Sequence, residues 1–312
     1  MQPLTFLASP KTWDGVAARH QELAVRNWLS LHPDNEVILY GDAPGTREAC
    51  QRLGVIHVPK IAATPKGIPY FGAIAEHAVQ YARHDVQVYL NCDILLRQNL
   101  LDSVGRITFP RFLMIGQRID LPEGEPLRLE QVEDNVWLRE LTENGKLFLH
   151  PPAGSDYFVF RRGMWTGLPI ITIGRGAYDN ALIAWCLLQG IPVVDATLAA
   201  TVLHQFHAYG HVGGGQQEVF QGQDAKNNLA LCKQFGFIPT LEDATWMLRK
   251  NGLMQSYGRG DLMRGLLDRI LRWFPGCFGR SILIRVWSVL QARRIIRSST
   301  IQIGSLFAFL EE

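Results

Sequence analysis

The sequence predicts an α/β fold: a mixed, mainly parallel sheet flanked by helices, followed by a helical C-terminal extension. Three observations lead there. Short apolar runs alternate with helix-patterned segments through the first hundred residues, the signature of βαβ units. One of those runs, Val86 to Leu90, passes directly into the polar end Asn91-Cys92-Asp93. The segment from Tyr178 to Gln189 is apolar nearly all round (Ala181, Leu182, Ile183, Ala184, Trp185), the pattern of a buried helix.

Element by element, Pro3 to Ser9 predicts a buried strand, and His20 to Leu31 a helix ending before the Pro33-Asp34-Asn35 turn. Glu36 to Tyr40 is a second strand, Thr46 to Leu53 a helix stopped by Gly54, and Val55 to Val58 a third strand. The Thr64 to Pro69 segment, with two prolines and a glycine, is a loop. Tyr70 to Arg83 is helical: Phe71, Ile74, Ala75 and Ala78 share one half of the wheel, Glu76, His77, Gln80 and Arg83 the other. Phe112 to Ile119 reads as one further strand. Residues 120–150, rich in Glu, Asp, Pro and Gly, read as a lid or insertion. Tyr157 to Phe160 is a strand again, and Pro192 to Val194 leads through Asp195 to a histidine cluster and Gly213-Gly214-Gly215. From residue 224 onward the pattern reads as helical.

Composition narrows the classes. The 312 residues are 47% hydrophobic and 19% charged, enough apolar material for a sizeable core and too much for disorder. A formal charge of +2 argues against a nucleic-acid binder acting through its overall charge. That sum hides an asymmetry: residues 1–246 carry 20 basic and 25 acidic side chains, residues 247–312 carry 11 and 4. Five scattered cysteines with no CxxC pair speak against a disulfide framework or a thiolate zinc site. The first residues lack the basic start and apolar length of a signal peptide, and no window offers a spanning helix, so a cytoplasmic location is expected.

Chemistry is expected at the strand ends, because ligands in parallel sheets bind beyond the carboxyl ends of the strands. Asn91-Cys92-Asp93 lies there. A carboxylate closing a largely apolar strand is costly to bury without a partner. A divalent cation is a natural one, since hard cations take carboxylate oxygens together with substrate phosphates; an Asp capping the next turn is the plainer reading. His204, His207 and His211 stand at i, i+3 and i+7. On a helix they would share a face and could hold zinc with Asp195 nearby, whereas Gly210 and the triple glycine argue for a loop. Asp156 precedes the 157–160 strand. Asp179 opens the buried helix, where it either serves a site or caps the helix. Neither a Walker A nor a GxGxxG pattern is present, so kinase-like and NAD-type chemistry find no support.

In order and context these residues resemble a glycosyltransferase of the GT-A type, a nucleotide-diphospho-sugar transferase. An N-terminal βαβ region leads to an apolar strand ending in a DxD-like element, here Asn91-Cys92-Asp93. Then come Phe112 to Arg118, similar to the strand that follows the DxD element in that family, Gly154 to Phe160, Tyr178-Asp179-Asn180, and the histidines. The resemblance covers residues 4–215. It implies a Rossmann-type GT-A fold in residues 1–240, with a nucleotide-sugar-binding half (1–120) and an acceptor and metal half (121–240), before a basic helical extension at 241–312. It implies that Asn91, Cys92, Asp93 and Arg118 bind the donor, and that Mn²⁺ or Mg²⁺ sits on Asp93 with His204 or His207. Asp156 and Asp179 become the candidates for catalytic base or sugar contact. The donor is expected to be a UDP-sugar, the acceptor a hydroxyl on a sugar, a lipid-linked molecule or another carrier. Asn91 departs from the family's first acid: it removes one negative charge while still offering a carbonyl ligand.

Two other readings use the same residues. One is a zinc hydrolase on His204, His207 and His211, against which the lack of HExxH counts. The other is a sugar-nucleotide-binding protein without activity, motivated by Asn91. In the tail, Leu262, Leu266, Ile270 and Trp273 oppose Arg264, Asp268, Arg269 and Arg272 on a helical wheel, and Ser281 to Arg297 supplies a second Arg-rich helix. Residues 260–297 therefore read either as helices packed on the domain or as a peripheral attachment to the anionic inner face of a membrane.

Overall fold

The protein is described by a computed structural model covering residues 1–122, 127–205, 215–235, 238–249 and 251–256. The first half contains β1 (Thr5–Ala8), α1 (Gly15–Ser30), β2 (Glu36–Tyr40), α2 (Thr46–Leu53), β3 (Ile56–Val58), α3 (Phe71–Tyr81), β4 (Val86–Leu90), β5 (Ile94–Leu96) and α4 (Asn99–Gly105). Then follow β6 (Leu113–Ile115), β7 (Ile119–Asp120), α5 (Leu129–Val132), α6 (Asn135–Glu143), β8 (Phe148–Leu149) and β9 (Tyr157–Arg161). The remainder is α7 (Tyr178–Leu188), β10 (Val193–Asp195), β11 (Val202–His204), α8 (Gly215–Gln221), α9 (Gln223–Cys232), β12 (Trp246–Arg249) and β13 (Gly252–Gln255).

The strands form two sheets. The main one has the order β13-β12-β10-β6-β9-β4-β1-β2-β3. Strand β9 runs antiparallel to both neighbours and β13 antiparallel to β12, while the other pairs are parallel. Its strands are apolar runs because both faces are covered. Phe6, Val88 and Val159 pack on one side with Trp28 of α1, and Leu7, Tyr89 and Phe158 on the other with Phe71 of α3 and Leu182 of α7. Each such side chain contributes about 1.5–3 kcal/mol by leaving water.

The second sheet, β5-β11-β7-β8, is small and consequential. Each of its strands is joined directly in sequence to a strand of the main sheet: β4 to β5, β6 to β7, β8 to β9 and β10 to β11. Four of the chain's crossings between the sheets are therefore direct, with no helix between the two strands. Helix α1 satisfies the open edge of β5: Asn27 accepts from the Leu96 amide at 2.7 Å and donates to its carbonyl at 3.0 Å, and the Trp28 indole donates to the Ile94 carbonyl at 2.9 Å.

Three expectations need correction. The 112–119 run is two strands in different sheets, because the chain turns at Gly116, where a β-carbon would collide with the Tyr157 hydroxyl and press on the Thr197 amide. Residues 246–255 form a hairpin whose first strand pairs in parallel with β10, so the helical reading fails there and the sheet continues past residue 240. Alternation of Trp246 and Leu248 toward the core gives it the two-residue period of a strand. Finally, Ala177 precedes α7 at φ 62°, which puts Asp179 inside the first turn rather than at the cap. The tail helices expected within 260–297 lie outside the described residues. Among the described residues no helix is long and apolar enough to cross a membrane.

Candidate active site at the sheet crossings

The crossings bring the candidate residues together. Asn91-Cys92-Asp93 forms the turn between β4 and β5, Arg118 lies in the β6–β7 crossing and Asp120 ends β7, Asp156 ends the β8–β9 crossing, and His204 ends β11. Asp93 is 4% exposed. One of its oxygens accepts the Lys11 ammonium at 2.9 Å, and the other lies 3.8 Å from His204 Nε2. Its main-chain carbonyl takes the Gln205 amide at 3.1 Å, so the turn is tied to the end of β11.

The His204 ring is fixed from behind. Its Nδ1 is 2.9 Å from Asp120 Oδ1. A carboxylate only accepts, so Nδ1 carries the proton, and in the neutral ring Nε2 presents its lone pair on the Asp93 side. Burial holds the imidazole below its ordinary pKa, against the opposing pull of the Asp120 hydrogen bond and the Asp93 charge. A neutral imidazole backed by a carboxylate is the form in which histidine ligates a metal.

Asp120 is the hub. Besides His204 it accepts Arg118 Nε at 2.8 Å and His150 Nδ1 at 2.9 Å. Burial raises its pKa, but the hydrogen bonds from His150 and His204 and the Arg118 charge outweigh it and hold the carboxyl well below the usual range. Arg118 also pairs through Nη1 with Asp156 Oδ2. The other Asp156 oxygen accepts the Asn91 side-chain amide at 2.5 Å, and the Asn91 main-chain amide donates to the Asp156 carbonyl at 3.0 Å. Both oxygens of Asp156 are thus engaged.

Asp179 lies beside this group. Its Oδ2 accepts the Ser155 amide at 2.9 Å, and the Tyr178 hydroxyl reaches the Ser155 carbonyl at 3.4 Å, so the first turn of α7 holds the residue before Asp156 from both sides. Burial raises the Asp179 pKa, partly offset by main-chain donors and the Arg118 charge.

Asn91, Asp93, Arg118, Asp156, Asp179 and His204 therefore gather at one place. Cys92 does not join them: it is buried in the apolar cluster, with its thiol pKa pushed up by burial, so only its main chain can face a ligand. His207 and His211 lie outside the described residues. His204 sits at a strand end, which removes the single helical face on which three histidines could converge. Asp195 accepts the Thr197 amide and hydroxyl at 2.9 and 2.6 Å and closes a turn. Lys11, Asp120 and His150 escape the sequence reading. Lys11 follows the first strand without any motif, and Asp120 and His150 meet only because β7 pairs with β8.

Among the described residues no group of three or more His, Cys, Asp or Glu side chains could hold a metal alone. Asp93 and His204 nevertheless fit a divalent cation: oxygen plus imidazole is a donor set such ions accept, and phosphates commonly supply the remaining ligands.

No family model and no curated protein matches the sequence. Solved structures similar to it include glucosyl-3-phosphoglycerate synthase from Mycobacterium tuberculosis in complex with Mn²⁺, UDP and phosphoglyceric acid. That one is 15% identical, with 76% of this chain and 80% of that chain covered and a TM-score of 0.43. The same synthase with Mg²⁺ and UDP is 14% identical over 75% and 79% of the two chains, at a TM-score of 0.43. Residues 1–349 of TarS from S. aureus are 10% identical over 66% and 58%, at a TM-score of 0.37.

Proposed function

We propose that the chain is a glycosyltransferase that moves a sugar from a nucleotide-diphospho-sugar to an acceptor hydroxyl, assisted by Mn²⁺ or Mg²⁺. The observation that carries this reading is the buried Asp93 at the end of β4, facing a His204 ring whose Nδ1 is held by Asp120. A buried acid and an oriented neutral imidazole at the carboxyl end of a parallel strand favour a cation–phosphate ligand over a purely organic one.

Asp93 and His204 would hold the cation, which when bound supplies Lewis-acid stabilisation of the departing diphosphate. Arg118, paired with Asp120 and Asp156, adds a fixed positive group beside them. Asp156, both oxygens occupied, positions Asn91 and Arg118 rather than taking a proton. Asp179 is the base: its carboxylate is made more proton-seeking by burial and is steadied by the Ser155 amide, which suits removal of the acceptor's hydroxyl proton. UDP-sugars are the first donors to test, since UDP is the nucleotide bound by the similar synthase. Attachment through residues 260–297 would suit a lipid-linked acceptor.

The test is a panel of nucleotide-sugars with and without Mn²⁺, read as nucleotide release, for the native chain and Asp93→Ala. Removing a charge stabiliser of this kind costs on the order of 10²–10³ in turnover. Undiminished turnover in a folded Asp93→Ala, or no turnover of any donor by the native chain, refutes the reading.

A further inference from the structure

Lys11 has no role in the function proposed so far, and its surroundings are built. It lies in the loop between β1 and α1, where one buried glutamine clamps its main chain from both sides. The Lys11 amide donates to Gln21 Oε1 at 2.6 Å, and Gln21 Nε2 donates to the Lys11 carbonyl at 3.1 Å. Gln21 is 1% exposed, so this clamp is part of the core. Helix α1, which supplies Gln21, is in turn tied to the residue after β11, because Gln205 donates to the His20 carbonyl at 3.0 Å and to the Asp93 carbonyl at 3.3 Å. The ammonium so placed reaches Asp93 Oδ2 at 2.9 Å while its side chain stays 29% exposed. It touches the buried acid from the solvent side, where a ligand would enter.

We propose that Lys11 is an anion-binding residue of this site, contacting the diphosphate of an incoming nucleotide, and that it shares Asp93 with the divalent cation. The inference rests on the reading of the site as a nucleotide-sugar site and assigns within it a residue from outside the DxD-like element. A fixed positive charge on Asp93 attracts a diphosphate and repels a metal ion. Lys11 therefore acts with opposite sign on the two ligands: it strengthens diphosphate binding in the absence of metal and weakens metal binding in the absence of nucleotide. A residue that merely propped the loop would not produce opposite signs.

The experiment uses the full chain and two probes, UDP in excess EDTA and Mn²⁺ alone, with titration calorimetry for the first and electron paramagnetic resonance of free Mn²⁺ for the second. Lys11→Met is expected to weaken UDP about tenfold, the scale of one lost hydrogen bond to a charged group, and to tighten Mn²⁺ by a similar factor. Lys11→Arg should keep most of the UDP affinity. If Lys11→Met does not fold, Lys11→Gln carries the same comparison. Unchanged UDP affinity in the neutral variant, or Mn²⁺ affinity that stays level or falls, overturns the proposal while leaving the nucleotide-sugar reading intact. A native chain that binds none of UDP, GDP and ADP, with or without Mn²⁺, overturns both, and is recognised by that result alone.

Discussion

Asp120→Asn is the substitution with the most to say about the site. The native carboxylate receives three hydrogen bonds, from Arg118 at 2.8 Å and from His204 and His150 at 2.9 Å. An asparagine offers one acceptor oxygen and one donor amide. It can keep two of the contacts at neutral strength, and it sets its amide against the third unless His150 changes tautomer. A hydrogen bond to a charged group is worth about 1.5–3 kcal/mol and a neutral one about 0.5–1.5, so each contact loses roughly 1 kcal/mol. Three such losses, discounted because the side chain remains 21% exposed, give about 2 kcal/mol. The pH dependence has a definite sign. The folded-state pKa is depressed, so this stability is present above the unfolded value near about 4 and is lost as the pH falls through that region toward the folded value. Urea unfolding at a series of pH values should therefore show the largest gap between native and variant protein near neutrality, narrowing below about pH 4. Equal stabilities at pH 7, or a gap that widens in acid, would refute the account of Asp120 as an ionised hub. In the same variant His204 Nδ1 donates to a neutral amide oxygen instead of a carboxylate, so the ring is a weaker base, and Mn²⁺ affinity should fall about 10–100-fold.

Two further outcomes are expected. Asp179→Asn should raise the melting temperature while lowering turnover. Its folded pKa is raised, so the protonated form is the one the fold favours; ionisation at neutral pH costs stability that a neutral amide does not lose. Calorimetric melts at pH 7 and pH 4 check this, since the advantage of the amide should shrink as the native carboxyl takes its proton. Gly116→Ala should destabilise the chain by about 1–3 kcal/mol, the usual cost of overpacking. Its β-carbon meets the Tyr157 hydroxyl, which is buried with no hydrogen-bond partner among the described residues. Tyr157→Phe in the same chain should recover much of the loss; chemical denaturation of the single and double variants decides it.

Strands whose two faces are both buried announce themselves as apolar runs, which is why Glu36–Tyr40 and Val86–Leu90 were legible to the residue. The helices at Thr46–Leu53 and Phe71–Tyr81 were legible from one apolar and one polar face, whereas α4 and α6, short and outside the regular pattern, were not. What also escaped the reading is the second sheet. Its strands are two or three residues long, too short for any period to register, and each continues a main-sheet strand through a brief turn. The site inherits that division. Asp93 stood out because a buried strand ran into it, whereas Asp120 and His150 are ordinary residues until β7 and β8 pair. The His204 spacing misled, because i, i+3, i+7 has meaning only on a helix, and β11 is a strand.

The asparagine at position 91 illustrates how far a motif can be judged from its letters. By sequence it looks like a metal ligand that lost its charge. In the fold its amide nitrogen lies 2.5 Å from Asp156 Oδ1, while its main-chain amide bonds the carbonyl of the same residue. An aspartate there would set two carboxylates against each other at a distance where both cannot stay ionised. The neutral amide is what allows β4 and β9 to meet at this point, and the acid one strand over is matched by Arg118. Asp93 is likewise matched by Lys11. Each of these two acids arrives with its own fixed cation, so a divalent ion entering alone gains little from them. If the site takes a divalent ion as proposed, the remaining charge that draws it in has to come from the proposed diphosphate, and Asn91 contributes by meeting Asp156 without adding a second carboxylate.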